Sequence, residues 1–416
     1  MPASSIYART ALDRSEISQA ALNIEKKCRS NPLPWRGQFS PQLVQVLLDK
    51  YAARNAVVLD PFVGSGTVLL EAGRAGLEAF GTEVNPAAVT LARTYRFVNV
   101  PVDVRQSCLD GVSALLLDQL PDALPLFSGF ARTLDAESIK ATLVDLASTA
   151  QWSFQRQLVE TLVALLDLDK PGLSTGKVFA AWNRLAELVL GLPFSRRRIE
   201  VFHADAREIP LPDSSISLVI TSPPYINVFN YHQQRRASMQ ALHWDLLSVA
   251  KSEIGANRKH RSNRFLTVIQ FCMDMAGALR ELSRVCQSDG RLIFVVGRES
   301  NVRGTRFFNG EIVAEVAHRT TGLDLILRQQ RAFSNRFGKS IIEDILHFVP
   351  SSRLPNVSFL GEARAVARET LVAARKRAPE TSRSDIESAL DKLDQVSPSS
   401  VFRLPEAHKR ATYGET

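Results

Sequence analysis

Thr221-Ser222-Pro223-Pro224-Tyr225 is the stretch of this 416-residue chain best equipped for chemistry. An amine conjugated to a heteroaromatic ring is a weak nucleophile because its lone pair is delocalised. A catalyst acting on it needs acceptors at the amino hydrogens, so that the nitrogen can become pyramidal. The Ser222 hydroxyl and the Pro223 carbonyl can serve as those acceptors, since paired prolines set the turn and bring no amide donors. Tyr225 adds a ring that can stack on the plane carrying the amine. A rigid surface loop or a polyproline ligand is the competing reading. The apolar run over residues 216–220 argues instead for a buried strand leading into the motif.

A second cluster lies far upstream, Asp60-Pro61-Phe62-Val63-Gly64-Ser65-Gly66-Thr67. It follows a short apolar run at 56–59 and precedes a helical pattern at 68–75. In a doubly wound sheet ligands sit beyond the carboxyl ends of the strands. There Gly64 and Gly66 let backbone amides and a helix amino terminus come close. Glu83, ending the next strand, is placed to accept from ribose hydroxyls, and Asp205, after a third, to accept from an adenine amino group. The spacing departs from G-x-G-x-x-G, so a nicotinamide dinucleotide fits less well. A nucleoside cofactor at one motif and an amine at the other add up to methyl transfer from S-adenosyl-L-methionine (SAM).

The elements that must position these residues define an α/β, Rossmann-like sheet with a helical insertion. Residues 1–38 form an N-terminal extension, polar, with a short helix over 15–27 and a proline-rich link. The cofactor-binding half spans 39–103. In it Ser40 and Pro41 start a helix running to 51, strands lie at 56–59 and 78–82, and helices at 68–75 and 86–95. Residues 104–198, rich in leucine and alanine, read as the insertion, with Leu158, Leu162, Leu165 and Leu166 on one helical face. The catalytic half spans 199–350, with strands at 199–203, 216–220, 290–296 and 341–348. Residues 351–416 make a charged helical tail, with helices over 361–376 and 384–396.

Composition bounds the rest: 45% hydrophobic and 23% charged residues can bury a sizeable core, and a net charge of +8 suits a polyanionic partner without demanding one. Cys28, Cys108, Cys272 and Cys286 stand apart with no C-x-x-C pair, so neither a metal site nor a disulfide framework is expected. No leader-like start and no long apolar run is present, which points to a cytoplasmic protein without a membrane span. The segment 231–264 is basic, with Arg235, Arg236, Lys251, Arg258, Lys259, Arg261 and Arg264 against Asp245 and Glu253. Just beyond the catalytic motif, these cations are candidates to grip nucleic-acid phosphates, a solvated charged face being the alternative. Asn230, Tyr231 and His232 could line a base pocket, whereas His203, His243 and His260 read as structural or surface residues.

Together these motifs resemble the amino-group DNA methyltransferases with a TSPPY motif, above all those acting on cytosine N4. The resemblance covers about residues 35–98 and 199–348. It implies that Phe39 and Ser40 flank the methionine end of SAM, and that Asp60, Phe62, Gly64, Ser65, Gly66 and Thr67 form the cofactor loop. It further implies Glu83 as the ribose acid, Asp205 as the adenine contact, and Ser222, Pro223, Pro224 and Tyr225 as the catalytic loop. Serine before the prolines is the form typical of cytosine-N4 enzymes, aspartate or asparagine that of adenine-N6 enzymes. Double-stranded DNA with a flipped base is the implied substrate, and cognate restriction or defence proteins are candidate companions. Many serine-form members place the catalytic motif first, whereas here the cofactor motif leads. Residues 60–72 also resemble RNA guanine-N2 methyltransferases, which usually carry aspartate or asparagine before the prolines. The alternatives are therefore a DNA adenine-N6 enzyme, an RNA guanine-N2 enzyme, and a catalytically silent, SAM-sensing nucleic-acid-binding subunit.

Overall fold

The computed structural model describes residues 5–120, 134–150, 152–168, 171–226, 230–256, 260–334, 338–351 and 358–404. The chain opens with helices α1 (Ile6–Arg9) and α2 (Gln19–Asn23), then α3 (Pro41–Tyr51), β1 (Val57–Asp60), α4 (Thr67–Arg74), β2 (Glu78–Glu83) and α5 (Pro86–Arg93). Helices α6 (Val102–Gln119), α7 (Ala136–Thr149), α8 (Ser153–Leu166) and α9 (Thr175–Leu190) follow, and then β3 (Ile199–His203) and β4 (Ile216–Thr221). The short α10 (Arg236–Ala241) and α11 (Leu246–Ser252) lead to the long α12 (Leu266–Val285). The remainder is β5 (Cys286–Gly297), the hairpin β6 (Glu299–Val302) and β7 (Thr305–Phe308), α13 (Asn309–Thr321), β8 (Leu323–Ser334), β9 (Ser340–Pro350), α14 (Phe359–Arg375) and α15 (Glu380–Asp391).

The main sheet has the order β3-β2-β1-β4-β5-β9-β8, with β6 and β7 apart from it. Strands β1 to β5 of this sheet run parallel, and β9 lies antiparallel to both neighbours. The chain winds outward from β1 through β2 to β3, then returns to place β4 on the other side of β1. That reversal is a topological switch point, and it is where a crevice opens beyond the strand ends.

Alternate residues of the central strands serve two cores. Val58, Leu218, Ile220 and Ile293 share one core with α3, α4, α5 and the insertion. Leu59, Val219, Leu292 and Phe294 face the other, which α12, α13 and α14 cover. A strand buried on both faces reads as a continuous apolar run, which is why β1 and β4 were visible in the sequence.

The expected helical insertion forms α6 to α9 and packs on the turn after α5. There Thr94 and Thr161 share a buried hydroxyl hydrogen bond of 3.0 Å, and Gln157 Nε2 donates to the Thr90 carbonyl at 2.8 Å. The fully buried guanidinium of Arg105 fastens the two ends of the insertion together. It donates to the carbonyls of Val100 (2.7 Å), Leu192 (2.6 Å) and Pro193 (2.8 Å).

Several expectations change. The helix expected over 15–27 is only α2, because Asp13 accepts from the amides of Ser15 and Glu16 in a turn. Ser18 then becomes the N-cap, and Ile24 ends the helix at a φ of 56°. Strand β8, the β6–β7 hairpin, α12 and α13 have no counterpart in the sequence reading. Of the described tail residues, Val366, Ala367 and Leu371 of α14 complete the second core, and Phe402 and Leu404 form a small third cluster with Val249. Among the described residues no helix is long and apolar enough to cross a membrane.

Candidate active site

At the switch point the two motifs are bonded to each other. Asp60 ends β1 and Thr221 ends the adjacent β4, and Thr221 Oγ1 donates to Asp60 Oδ1 at 2.6 Å. The Phe62 amide donates to the same oxygen at 3.1 Å, which shapes the start of the glycine turn. Gly66 caps α4 at a φ of 91°, and a Cβ there would come 2.6 Å from the Tyr95 ring. Gly64, at a φ of 50°, gives its amide to Glu83 Oε2 at 3.2 Å. Glu83 Oε1 accepts from the amides of Val84 and Asn85, each at 2.9 Å.

Residues from both halves line one cavity: Trp35, Gln38 and Phe39, the turn from Asp60 to Ser65 with Thr67, Glu83 to Asn85, Ala204 to Ala206, Ser222, Pro224, Tyr231, and Ser252 to Ile254. A carboxylate at the end of β2, a glycine turn opening a helix, and aromatic rings at Trp35, Phe39 and Phe62 suit a nucleoside with a ribose diol. Of the expected cofactor residues, Phe39, Asp60, Phe62, Gly64, Ser65, Thr67, Glu83 and Asp205 meet in this cavity, together with Ser222 and Pro224. Gly66 supports the turn as the cap of α4, and Pro223 is buried within its loop. Ser40 opens instead on a neighbouring cleft. The Tyr225 hydroxyl and Ser222 Oγ share a hydrogen bond at 3.1 Å.

The expected adenine contact through the Asp205 side chain is corrected. Arg207 donates to it three times, through its amide (3.0 Å), Nε (2.9 Å) and Nη2 (2.7 Å). The Phe402 amide adds a fourth bond at 2.9 Å. A carboxylate offers about four lone-pair sites, so none remains for an adenine amine. Asp205 is thus part of the cavity wall and the anchor of the tail, where the Phe402 ring also stacks on His203 at 4.7 Å.

The basic segment divides. Arg236, Lys251 and Arg261 are exposed and Arg264 is half-buried, while Arg258 and Lys259 lie outside the described residues. Arg235 is corrected from a phosphate contact to an internal pin. Its side chain is 12% exposed, pairs with Asp167 at 3.3 Å and donates to the Leu165 carbonyl at 3.2 Å. Arg235→Ala is therefore expected to cost about 1–3 kcal/mol of stability, and to leave the salt dependence of binding to a duplex DNA probe as it is in the wild type. Denaturant melts and binding isotherms over a salt series check this. Of the suggested base-pocket residues, Tyr231 walls the cofactor cavity and His232 is buried against Glu253, with Nδ1 to Oε2 at 2.7 Å.

Sequence reasoning missed the depth to which residues before 39 enter the site. Asn31 accepts from Thr67 Oγ1 at 2.8 Å and donates to the Phe39 carbonyl at 2.6 Å. The Leu33 carbonyl accepts from Ser65 Oγ at 3.2 Å, and Gln38 Nε2 donates to the same hydroxyl. The signal was compositional at best, a proline-rich link holding a lone tryptophan.

Burial pushes the carboxyls of Asp60 and Glu83 up to about 7, and the three amides at Glu83 oppose the shift. Ribose hydroxyls donate best to an ionised carboxylate, so cofactor binding should release a proton from Glu83. Below pH 7 the dissociation constant is then expected to fall by up to tenfold per pH unit as pH rises, and to level off above it. Calorimetry across pH 5.5–8.5 reads this, and Glu83→Gln should weaken binding and flatten the profile. Without cofactor the linkage has the opposite sign. Raised folded-state values favour the folded form at acid pH, and that stability is lost as pH climbs from about 4 through 7.

The order of strands around the switch point, with a glycine turn after β1 and a carboxylate at the end of β2, defines an α/β sheet of Rossmann-like build. Residues 13–94 match the sequence model of the DNA methylase family (N6_N4_Mtase), which bears out the resemblance to the amino-group methyltransferases. SAM is the cofactor of such proteins, and Phe39, the glycine turn and Glu83 are the residues fit to hold it. A type II methyltransferase of Methanocaldococcus jannaschii, M.MjaII, is 29% identical over 87 residues, which is 21% of this chain and only 15% of that protein. Among solved structures, a SAM-dependent methyltransferase from Methanosarcina mazei aligns over 73% of this chain and 96% of its own, with 11% identity and a TM-score of 0.34. The rRNA methyltransferase AviRa from Streptomyces viridochromogenes aligns over 83% and 96%, with 13% identity and a TM-score of 0.28.

Proposed function

We propose that the protein is a DNA methyltransferase that modifies the exocyclic amine of a base turned out of double-stranded DNA, with cytosine N4 as the target. The observation that carries this reading is the Asp60–Thr221 hydrogen bond. It ties the cofactor turn to the Ser222 loop, so that Ser222 and Pro224 share a cavity with Glu83. When bound, SAM supplies an electrophilic methyl group. Ser222 Oγ and the Pro223 carbonyl accept the hydrogens of the amine and stabilise the positive charge that develops on nitrogen. The gain comes from positioning and from dipoles already aimed, with no covalent enzyme intermediate. Serine in place of an acid or amide before the prolines supports cytosine over adenine. Exposed Arg236, Lys251 and Arg261 are the cations assigned to phosphate contact, in a cytoplasmic enzyme whose companions would be restriction or defence proteins.

The test is transfer of radiolabelled methyl to matched pools of double-stranded DNA and structured RNA, with nucleoside mass spectrometry of the products. N4-methylcytosine in DNA is expected. N6-methyladenine would keep the mechanism and change the base. Methylguanine in RNA, or cofactor binding without any product, would overturn the proposal.

A further inference from the structure

A second cavity, of about 740 Å³, adjoins the first and shares Trp35, Gln38 and Phe39 with it. Its far wall is the β8–β9 hairpin, including Arg331, Phe333 and Glu343. Three strands meet in register here: Gly297 of β5 pairs with Glu343 of β9, which pairs with Arg331 of β8. Residues paired across strands point to the same face, so a row runs from Gly297 through Glu343 to Arg331. The Tyr225 ring fills the place of the side chain that Gly297 lacks, since a Cβ there would lie 3.0 Å from Tyr225 Cε2. Glu343 therefore stands beside the ring of the catalytic loop, and its charge helps burial to hold the Tyr225 phenol in its protonated form.

The pair has unspent hydrogen-bonding capacity. Arg331 Nε donates to Glu343 Oε2 at 2.7 Å, and the guanidinium packs over Phe333 at 4.6 Å. Among the described residues neither Nη of Arg331 nor Oε1 of Glu343 makes a hydrogen bond. The side chains are only 7% and 15% exposed, and both line the cavity. Two guanidinium Nη groups with donors to spare complement a base edge that carries adjoining ring acceptors.

We infer that this cavity receives the flipped base and that Arg331, held by Glu343, reads its edge. The Arg331 Nη groups donate to the ring acceptors beside the exocyclic amine, Glu343 Oε2 holds the guanidinium in place for them, and the amine itself is left to the Ser222 loop, while Phe39 and Trp35 supply apolar walls. The inference rests on the proposed function and deepens it by naming base-specificity residues outside the Ser222 loop. A purely structural cross-strand ion pair is the competing account. The two part company when both charges are removed together, because removing one alone strands a buried charge.

The experiment compares the wild type, Glu343→Gln, and the double variant Arg331→Met with Glu343→Gln, each as the full chain. Melting, SAM affinity, steady-state kinetics on DNA and the modified nucleosides are measured. The double variant is expected to keep its melting temperature and SAM affinity, to raise KM for DNA at least tenfold, and to shift the ratio of modified cytosine to modified adenine. Glu343→Gln keeps the shape of the pair and is expected to show the same shift if the double variant does not fold. A folded variant with unchanged KM and product ratio overturns the inference and leaves the proposed function standing. A wild type that methylates no nucleic acid removes both.

Discussion

Ser222→Ala is expected to lower the rate of methyl transfer by about 10²–10³-fold, the usual cost of removing one aimed hydrogen-bonding group from a reacting centre. The affinity for SAM should stay within about twofold, because nothing in the cofactor turn depends on this side chain. Ser222 Oγ lines the cavity and is held by the Tyr225 hydroxyl at 3.1 Å, so it is oriented before substrate arrives. Its contribution grows as the amine loses conjugation with its ring, and binding alone does not report it. Single-turnover transfer and calorimetry separate the two quantities. An unchanged rate would remove Ser222 from the catalytic assignment, and an equal loss of rate and SAM affinity would make it part of the cofactor site.

Gly64→Val is expected to weaken SAM binding by about a hundredfold or more, consistent with about 1–3 kcal/mol of backbone strain added to a displaced turn. At a φ of 50° a β-branched residue is an outlier. Its Cβ would also lie 3.2 Å from Trp35 Cδ1, tight against the aromatic wall of the cavity. Relieving either problem moves the amide that Gly64 gives to Glu83, and with it the carboxylate proposed to meet the ribose. The variant should still melt cooperatively, because the turn lies at the mouth of the crevice and not within either core. Wild-type affinity in a folded variant would show that the cofactor does not approach this turn.

The parts of the site written in contiguous sequence were legible. Val57 to Asp60 followed by Gly64 and Gly66 is local grammar, a buried parallel strand running into a tight turn, and the structure forms it where expected. The parts that depend on distant partners were not. Asp205 looked like a free acid at a strand end, because its saturation by Arg207 and by Phe402, 197 positions away, leaves no local trace. Arg235 looked like a surface cation for the same reason. Helix α12 escaped notice because most of its length is buried, from Thr267 through Ala276, so no polar face marks a period. Strand β8 escaped because Arg328, Gln329, Gln330 and Arg331 interrupt its apolar residues, and a register shift between Leu325 and Leu327 breaks the alternation. The cleft it helps form was hidden with it.

The Arg105 clamp also bears on how far the insertion can be separated from the sheet. Because one guanidinium spans Val100, Leu192 and Pro193, the chain leaves the sheet domain and rejoins it at nearly the same place. Everything between is then a cassette, and a short linker could close the gap without disturbing the pairing of β2 with β3. Excision would bare the surface at Thr90 and Thr94, which now bonds to Gln157 and Thr161, and would strip Arg235 of Asp167 and the Leu165 carbonyl. A replacement cassette has to bring its own polar partners to those two threonines.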